Sequence, residues 1–305
     1  METITSSKNA SYKLLRDLKK RAVRESLRLT FIEGTRFVEE AIAVRWPLEA
    51  VFVSQSFSKG AAWQAMEAEV RRIGVVPVIL TDSLFESASD TKTPQGVLAI
   101  IRFPEHHLDD LFFRAGLNRQ ADAVVSADLV RPADAVTPVD SVSEALGNAN
   151  RCRIVLLDGI QDPGNAGTII RTAEAAGFSG VVFSDGCVDL CSPKTLRATM
   201  GSVFRVPVVV QARLPEVIDR LKGRSVTVNG AVLKTEENCY DHDLSKDDFA
   251  LVIGSEAFGI REEVLACCDR LIRIPMQGGA ESLNAGVAAS VLMFEALRQK
   301  RHRKS

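Results

Sequence analysis

The stretch that decides the fold reads Gln161-Asp162-Pro163-Gly164-Asn165-Ala166-Gly167-Thr168-Ile169-Ile170-Arg171-Thr172-Ala173. It has two distant companions, Gly254-Ser255-Glu256-Ala257-Phe258-Gly259-Ile260 and Ile274-Pro275-Met276 followed by Glu281-Ser282-Leu283-Asn284. Each of the three segments comes where an apolar, strand-like run gives way to a turn. Open α/β sheets bind ligands in the loops at the carboxyl ends of their strands, so we expect these three loops to meet at one site.

Strand-like and helix-like runs alternate along most of the chain, which predicts mostly parallel sheets covered by helices. Residues 1–104 are predicted to form a first α/β domain, with one basic helix from Tyr12 to Arg24. Residues 105–150 are predicted to be a linker or insertion, poorly ordered in part, because residues 120–150 lack aromatic side chains and any sustained period. Residues 151–305 are predicted to form a second α/β domain, whose final helix is capped by Ser282.

The composition, with 46% hydrophobic and 25% charged residues, is typical of a soluble globular protein. No run approaches the roughly 20 apolar residues of a membrane helix, and residues 1–8 lack the apolar core of a secretory signal. We therefore expect a cytoplasmic protein whose six cysteines stay reduced. Cys187 and Cys191 have no second close pair and no nearby His, so no metal site is expected.

Positive charge is concentrated near the N-terminus, although the net charge of the whole chain is only −1. A local basic patch can contact phosphates while the rest of the molecule stays neutral. The alternative is a solvated helix face without a partner. The residues predicted to contact RNA are Lys13, Lys19, Lys20, Arg21 and Arg24.

The three loops exclude several familiar chemistries. No Gly-x-Gly-x-x-Gly or Walker pattern follows a strand, and the chain has no Gly-x-Ser-x-Gly elbow. None of the four histidines lies in a motif loop, which argues against a His-based triad. The polar residues that remain can position and polarise a hydroxyl group for a transfer in which a cofactor carries the activated group. These candidate catalytic residues are Asn165, Arg171, Glu256, Ser282 and Asn284.

The three segments together resemble the motifs of the SpoU family, the RNA ribose 2′-O-methyltransferases of the SPOUT superfamily. Any one motif alone is weak, but all three occur in order and each follows a strand. The resemblance covers residues 151–300 closely. It extends to residues 8–104, which are similar to the family's ribosomal-protein-like substrate-binding domain, and it does not cover about 115–150.

This resemblance implies a fold and a set of partners. The second domain would be a SPOUT α/β domain with a deep trefoil knot, and the protein would be a homodimer with its active site at the subunit interface. The methyl donor would be S-adenosylmethionine, in a pocket lined by Gly254, Ile274, Met276 and Leu283. The chain departs from the family at Ala257-Phe258 and at Ala285-Gly286, although neither departure removes a candidate catalytic residue.

Three of the candidate residues also have a purely structural interpretation. Asn165 is a possible cap of the helix that follows it. Arg171 is a possible partner of Glu174, three residues along the same helix. Glu256 is a possible loop carboxylate that binds backbone amides.

The sequence as a whole predicts S-adenosylmethionine-dependent 2′-O-methylation of a ribose in RNA, with ribosomal RNA as the expected substrate. The alternatives are a transfer-RNA methyltransferase of the same family and a non-catalytic protein that binds RNA or assists ribosome assembly. The five polar residues argue against lost catalysis.

Overall fold

The structure is a computed structural model that describes residues 2–115, 152–244 and 248–302. Most of the predicted insertion, residues 116–150, therefore lies outside the described residues. The chain forms two compact units. The N-terminal unit comprises residues 2–104 and Cys191–Phe204, and the C-terminal unit comprises the rest of the described residues.

The strands and helices alternate through both units. The strands are β1 Thr3–Ile4, β2 Leu29–Glu33, β3 Leu48–Ser54, β4 Val78–Leu80, β5 Val97–Arg102, β6 Arg153–Asp158, β7 Gly180–Ser184, β8 Val208–Ala212, β9 Thr227–Ala231, β10 Phe249–Gly254 and β11 Arg270–Ile272. The helices are α1 Ala10–Asp17, α2 Arg21–Leu27, α3 Thr35–Ala43, α4 Ala61–Arg72, α5 Asp82–Ala88, α6 Leu108–Arg114, α7 Pro163–Ala176, α8 Pro193–Ala198, α9 Leu214–Lys222, α10 Glu262–Leu265 and α11 Ala285–His302.

The C-terminal unit is built on a sheet in the order β11-β9-β10-β6-β7-β8, in which every pairing is parallel. The prediction of a parallel sheet is confirmed here. All six residues of the central strand β6 are buried, as expected for a strand covered on both faces. β6 and β10 end level with each other, because Asp158 pairs with Gly254. The loops that carry the first two motifs therefore leave the sheet at the same edge. The predicted trefoil knot stays a prediction.

The N-terminal sheet has the order β1-β4-β3-β5-β2 and is mixed. β5 runs antiparallel to both of its neighbours, β3 and β2, so the prediction of a mostly parallel sheet is wrong for this strand. The chain leaves β4 and returns to β5 at the same end of the sheet. Ser54, the last residue of β3, pairs with Leu80, the last residue of β4. The backbone N–H of Ser54 also donates to the carbonyl of Gly96, which directly precedes β5.

The predicted basic helix from Tyr12 to Arg24 is wrong as a single helix, because the chain forms α1 and α2 with a break between them. Arg24 is buried and stabilises the break. Its Nη1 donates to the carbonyl oxygens of Leu18 and Lys19 at 2.7 and 2.8 Å. A guanidinium held by carbonyl groups is not presented to solvent, so Arg24 has a structural role in the N-terminal unit.

The segment Cys191–Phe204 packs with the N-terminal unit, although both flanking stretches belong to the C-terminal unit. Thr30 donates its hydroxyl to the carbonyl of Cys191 at 2.7 Å. The Phe204 ring lies 5.2 Å from that of Phe37 and 4.9 Å from that of Trp46. The chain therefore crosses between the two units more than once along the sequence.

All six cysteines are free. Burial raises the pKa of the Cys152 thiol to about 12, so it stays protonated at neutral pH. Within the described ranges, no helix is long and apolar enough to cross a membrane. The Cys, His, Asp and Glu side chains of the same ranges form no group of three that could hold a metal ion.

Candidate active site and cofactor cavity

The first and second motifs meet through a side-chain hydrogen bond between Asn165 and Glu256. α7 is capped by Asp162, whose carboxylate accepts the backbone N–H of Asn165 at 2.8 Å. The interpretation of Asn165 as the cap is therefore wrong, and its side chain is available for another partner. The Asn165 side chain donates Nδ2–H to Oε1 of Glu256. Asn165 is buried whereas Glu256 is exposed, so a fixed amide holds a carboxylate that faces solvent.

The loop of the second motif folds back on its own start. Ser255 and Gly259 exchange backbone hydrogen bonds of 3.0 and 2.9 Å. A Cβ on Gly254 would lie 2.1 Å from the carbonyl carbon of Gly259, and Gly259 itself has φ of +69°. Two glycines therefore make this tight loop sterically feasible.

An ion pair between a buried carboxylate and a partly exposed arginine closes the far end of the same loop. The Asp158 carboxylate accepts the backbone N–H and the Nε–H of Arg261, both at 2.7 Å. Burial disfavours the charged guanidinium, but the hydrogen bond and charge of Asp158, together with the charge of Asp185, outweigh it and raise the pKa of Arg261. Sequence reasoning missed this pair. An acidic residue at the end of an apolar strand was the signal that could have found it.

The third motif lines a cavity of about 250 Å³. The cavity includes three of the four predicted cofactor residues, Ile274, Met276 and Leu283, and the candidate catalytic residue Ser282; Gly254 is not on its wall. Sequence reasoning missed the rest of the lining, which comprises Ala231, Val232, Leu233, Ile272, Arg273, Ala280, Glu281, Ala288 and Leu292.

The cavity has both apolar walls and charged residues. Ile272, Ile274 and Leu292 supply apolar walls, whereas Arg273 and Glu281 supply charge. The Nε–H of Arg273 is buried without a hydrogen-bond partner among the described residues. An unpaired buried donor is costly unless a ligand or water meets it, which supports a polar ligand group here.

Asn284, and not Ser282, caps α11. Its side-chain oxygen accepts the backbone N–H of Val287 at 3.2 Å, and its carbonyl accepts that of Ala288 at 2.8 Å. The prediction that Ser282 caps the helix is therefore wrong, and Ser282 lies on the cavity wall instead. A Cβ on Gly286 would lie 3.2 Å from the side-chain oxygens of both Asn165 and Asn284. The first and third motifs therefore lie against each other around this glycine.

Arg171 is an exposed residue of α7 and forms no hydrogen bond with the other candidate residues. Its suggested partner Glu174 forms an ion pair with Arg205, so the structural interpretation of Arg171 as a partner of Glu174 is wrong. In the described part of the chain, Arg171 makes no hydrogen bond or ion pair. Its guanidinium is thus available to a ligand.

Lys19 has a structural role in the N-terminal unit. Its ammonium donates to the carbonyl oxygens of Ser87 and Ser89 at 3.1 and 2.8 Å. It therefore ties the chain that follows α1 to the end of α5.

The other predicted RNA contacts lie at the surface. Lys20 pairs with Asp17 at 2.9 Å and Arg21 pairs with Glu25 at 2.7 Å. Lys13 is exposed on α1 and has no ion pair within the described ranges.

Comparison with known proteins matches both units to established families. The SpoU rRNA Methylase family matches residues 153–294, and an MRM3-like substrate binding domain matches residues 9–99. The matches cover the two folded parts separately and in the order that the sequence predicted.

Similar proteins match nearly the whole chain. The 23S rRNA (guanosine(2553)-2'-O)-methyltransferase RlmP of Bacillus subtilis is 30% identical, with 96% of this chain and 98% of that protein covered. The 23S rRNA (uridine(2479)-2'-O)-methyltransferase of Streptomyces viridochromogenes is 34% identical, with 88% and 82% covered. A crystal structure of an AdoMet-bound rRNA methyltransferase from Sinorhizobium meliloti superposes with a TM-score of 0.74 at 26% identity, with 97% of each chain covered. The predicted family is confirmed: the chain belongs to the SpoU rRNA Methylase family.

Proposed function

We propose that this protein transfers a methyl group from S-adenosylmethionine to the 2′-hydroxyl of a ribose in ribosomal RNA. The observation that carries the proposal is that the three motif loops converge within one unit. Asn165 bonds Glu256, Asn165 and Asn284 flank Gly286, and the third loop lines the cavity. The relatives named above, which methylate ribosomal RNA, and the structure with bound AdoMet support this reaction.

The side chains of this site orient a hydroxyl group. S-adenosylmethionine, held by the cavity residues, supplies a methyl group that is already activated for transfer. The exposed Glu256 carboxylate can accept a hydrogen bond from the ribose 2′-hydroxyl, and Asn165 fixes the direction of that carboxylate. Ser282, on the cavity wall, is a second hydrogen-bonding group between cofactor and ribose. Positioning of this kind accounts for a large share of the rate of group transfer.

Mapping of ribose methylation in total RNA, with and without the gene, tests the proposal. We expect one ribose methyl group to disappear from ribosomal RNA and to return when the purified enzyme and S-adenosylmethionine are added. Loss from a transfer RNA instead would establish the alternative substrate. If no methyl group is lost and the purified protein binds RNA without turnover, the non-catalytic alternative is correct.

We further propose that the N-terminal unit contacts RNA phosphates through the exposed face of α1. Lys13 and Arg16 lie on that face without an ion pair in the described part of the chain, whereas Lys20 and Arg21 already face carboxylates. The combined variant Lys13→Ala, Arg16→Ala should weaken RNA binding. It should also flatten the plot of log affinity against log salt by about 0.7 to 0.9 per lost contact.

Filter binding across a salt series measures this slope, and the variant Lys20→Ala, Arg21→Ala is the matched control. We expect the control to change the slope less, because its cations are partly neutralised by Asp17 and Glu25. Equal slopes in the wild type and both variants would mean that α1 is only a solvated face.

We also propose a homodimer whose interface includes the outward face of α11. Val287 and Phe294 are 46% and 48% exposed, and two helical turns bring them to one face. Asn165 and Arg171 are about 120° apart around α7 at 3.6 residues per turn. A second subunit could therefore supply its Arg171 to the site that contains Asn165 and Glu256.

The proposed ribosomal RNA substrate agrees with the expected cytoplasmic location of the protein.

Sedimentation equilibrium measures the dimer directly. We expect twice the chain mass for the wild type, and dissociation to the monomer for Phe294→Glu. Val76→Glu changes an apolar side chain of the N-terminal unit that is 68% exposed, and it should leave the dimer intact. A monomeric wild type at micromolar concentration would contradict this proposal.

A further inference from the structure

Two contacts join the same two stretches of the C-terminal unit. One stretch runs from the end of β6 into α7, and the other runs from the end of β10 into α10. Asn165 and Glu256 form the outer contact, whereas Asp158 and Arg261 form the inner one. In the inner contact the Asp158 side chain is fully buried and that of Arg261 is 40% exposed. In the outer contact Asn165 is buried and Glu256 is exposed.

The inner contact fixes Arg261 at two points. One oxygen of Asp158 accepts the backbone N–H of Arg261 and the other accepts its Nε–H, each at 2.7 Å. Hydrogen bonds to an ionised group are shorter and stronger than neutral ones, and two of them also define an orientation. The start of α10 is thereby attached to the end of β6.

The loop that joins β10 to α10 is therefore held at both ends. Its start is held by the pairing of Gly254 with Asp158 in the sheet. Its end is held by the Asp158 carboxylate, and the exchange of hydrogen bonds between Ser255 and Gly259 closes it in between. Glu256 lies inside this closed loop, so the position of its backbone depends on how the loop is held.

We infer that Asp158 and Arg261 are positioning residues that hold Glu256 against Asn165 for methyl transfer. The inference rests on the proposed function, and it assigns to this pair no contact with substrate or cofactor. Misplacement of a reacting group by about 1 Å costs up to about 100-fold in rate. Loss of the pair should therefore reduce the rate even though the motif residues remain.

A double-mutant cycle between Arg261→Ala and Glu256→Gln separates positioning from plain stability. The measurement is the single-turnover rate of methyl transfer at saturating RNA and cofactor. In the wild-type background, Arg261→Ala should lower this rate by about 10- to 100-fold. In the Glu256→Gln background it should lower the rate by less than about threefold, because residues that act through one another are not additive. Arg261→Lys, which keeps the charge and the backbone bond to Asp158, should recover part of the loss.

Lys222→Ala is the matched control. Asp269 holds the ammonium of Lys222 at 2.9 Å and the backbone N–H of Val228 at 2.8 Å. Like Asp158, Asp269 is thus one carboxylate that binds both a cationic side chain and a backbone N–H. Neither residue belongs to the motif loops, so the control should lower stability with an unchanged transfer rate. If Arg261→Ala lowers the rate by the same factor in both backgrounds, the positioning role is wrong.

Amide hydrogen exchange gives a readout that does not depend on turnover. Arg261→Ala and Asp158→Asn should speed exchange at the Ser255 and Gly259 amides, whereas Lys222→Ala should not. If the wild-type enzyme shows no methyl transfer, the proposed function fails, and unchanged exchange in both variants would separately overturn the inference about the pair.

Discussion

Arg171→Ala should lower the single-turnover rate of methyl transfer by about 100-fold or more if Arg171 assists the proton of the ribose hydroxyl. S-adenosylhomocysteine affinity should change little, because the cavity that lies against the third motif does not include this residue. Two physical facts support a functional arginine here. Its guanidinium is exposed, and Glu174, the neighbour expected to neutralise it, is paired with Arg205.

Arg171→Lys distinguishes a general base from an electrostatic clamp. An arginine guanidinium stays protonated in proteins, which makes it a poor base and a good partner for negative charge. If Arg171 acts only through its positive charge, lysine should replace it in part. If it acts through the planar guanidinium with its paired donors, lysine should not. A rate for Arg171→Lys well above that of Arg171→Ala would therefore favour the clamp.

Arg213→Ala is the control for loss of a surface arginine. Its side chain is 78% exposed and pairs with Glu216 at the start of α9, so this variant should keep the wild-type rate. A wild-type rate for Arg171→Ala at saturating RNA would show that Arg171 has been assigned to the site incorrectly.

The sequence predicted the C-terminal sheet well because its strands carry strong local signals. The middle of β6, Ile154 to Leu157, is apolar, and each motif follows a strand end, so parallel order and a shared edge followed from pattern alone. The direction of β5 could not be predicted in this way. An alternation of strands and helices does not reveal at which end of the sheet the chain returns.

The side-chain roles at the site were harder to predict than its location. Asp162, Asn165, Ser282 and Asn284 are all residue types that cap helices, and sequence spacing does not decide which of them does so. In the structure Asp162 and Asn284 are the caps, which leaves Asn165 for Glu256 and Ser282 for the cavity. The break between α1 and α2 was missed for a similar reason, because the carbonyl groups bound by Arg24 are not visible in a pattern of charges.

The walls of the cavity were the least predictable part. Ala231, Val232 and Leu233 belong to β9 and its end, and Ala288 and Leu292 belong to α11. These small and apolar residues look like ordinary core residues in the sequence. Only the folded sheet order, which places β9 between β10 and β11, brings them next to the third motif.

Ala288→Phe should abolish binding of S-adenosylhomocysteine. Ala288 lines the cavity of about 250 Å³, and a benzyl group at this position would occupy space that the cofactor needs. Calorimetry should detect no binding at about 1 mM ligand, which corresponds to a free energy weaker than about −4 kcal/mol. The melting temperature without ligand should stay the same or rise, because a side chain that fills cavity space adds packing contacts.

The rise in melting temperature that S-adenosylhomocysteine causes in the wild type should be absent in this variant, because only a ligand that binds the folded state stabilises it. Ala65→Phe places the same side chain at an exposed position of α4 and should preserve that rise. Wild-type affinity in Ala288→Phe, with normal folding, would mean that the cofactor binds elsewhere in the C-terminal unit. The loop at Gly254, which belongs to the second motif and lies outside the cavity wall, would then be the next place to test.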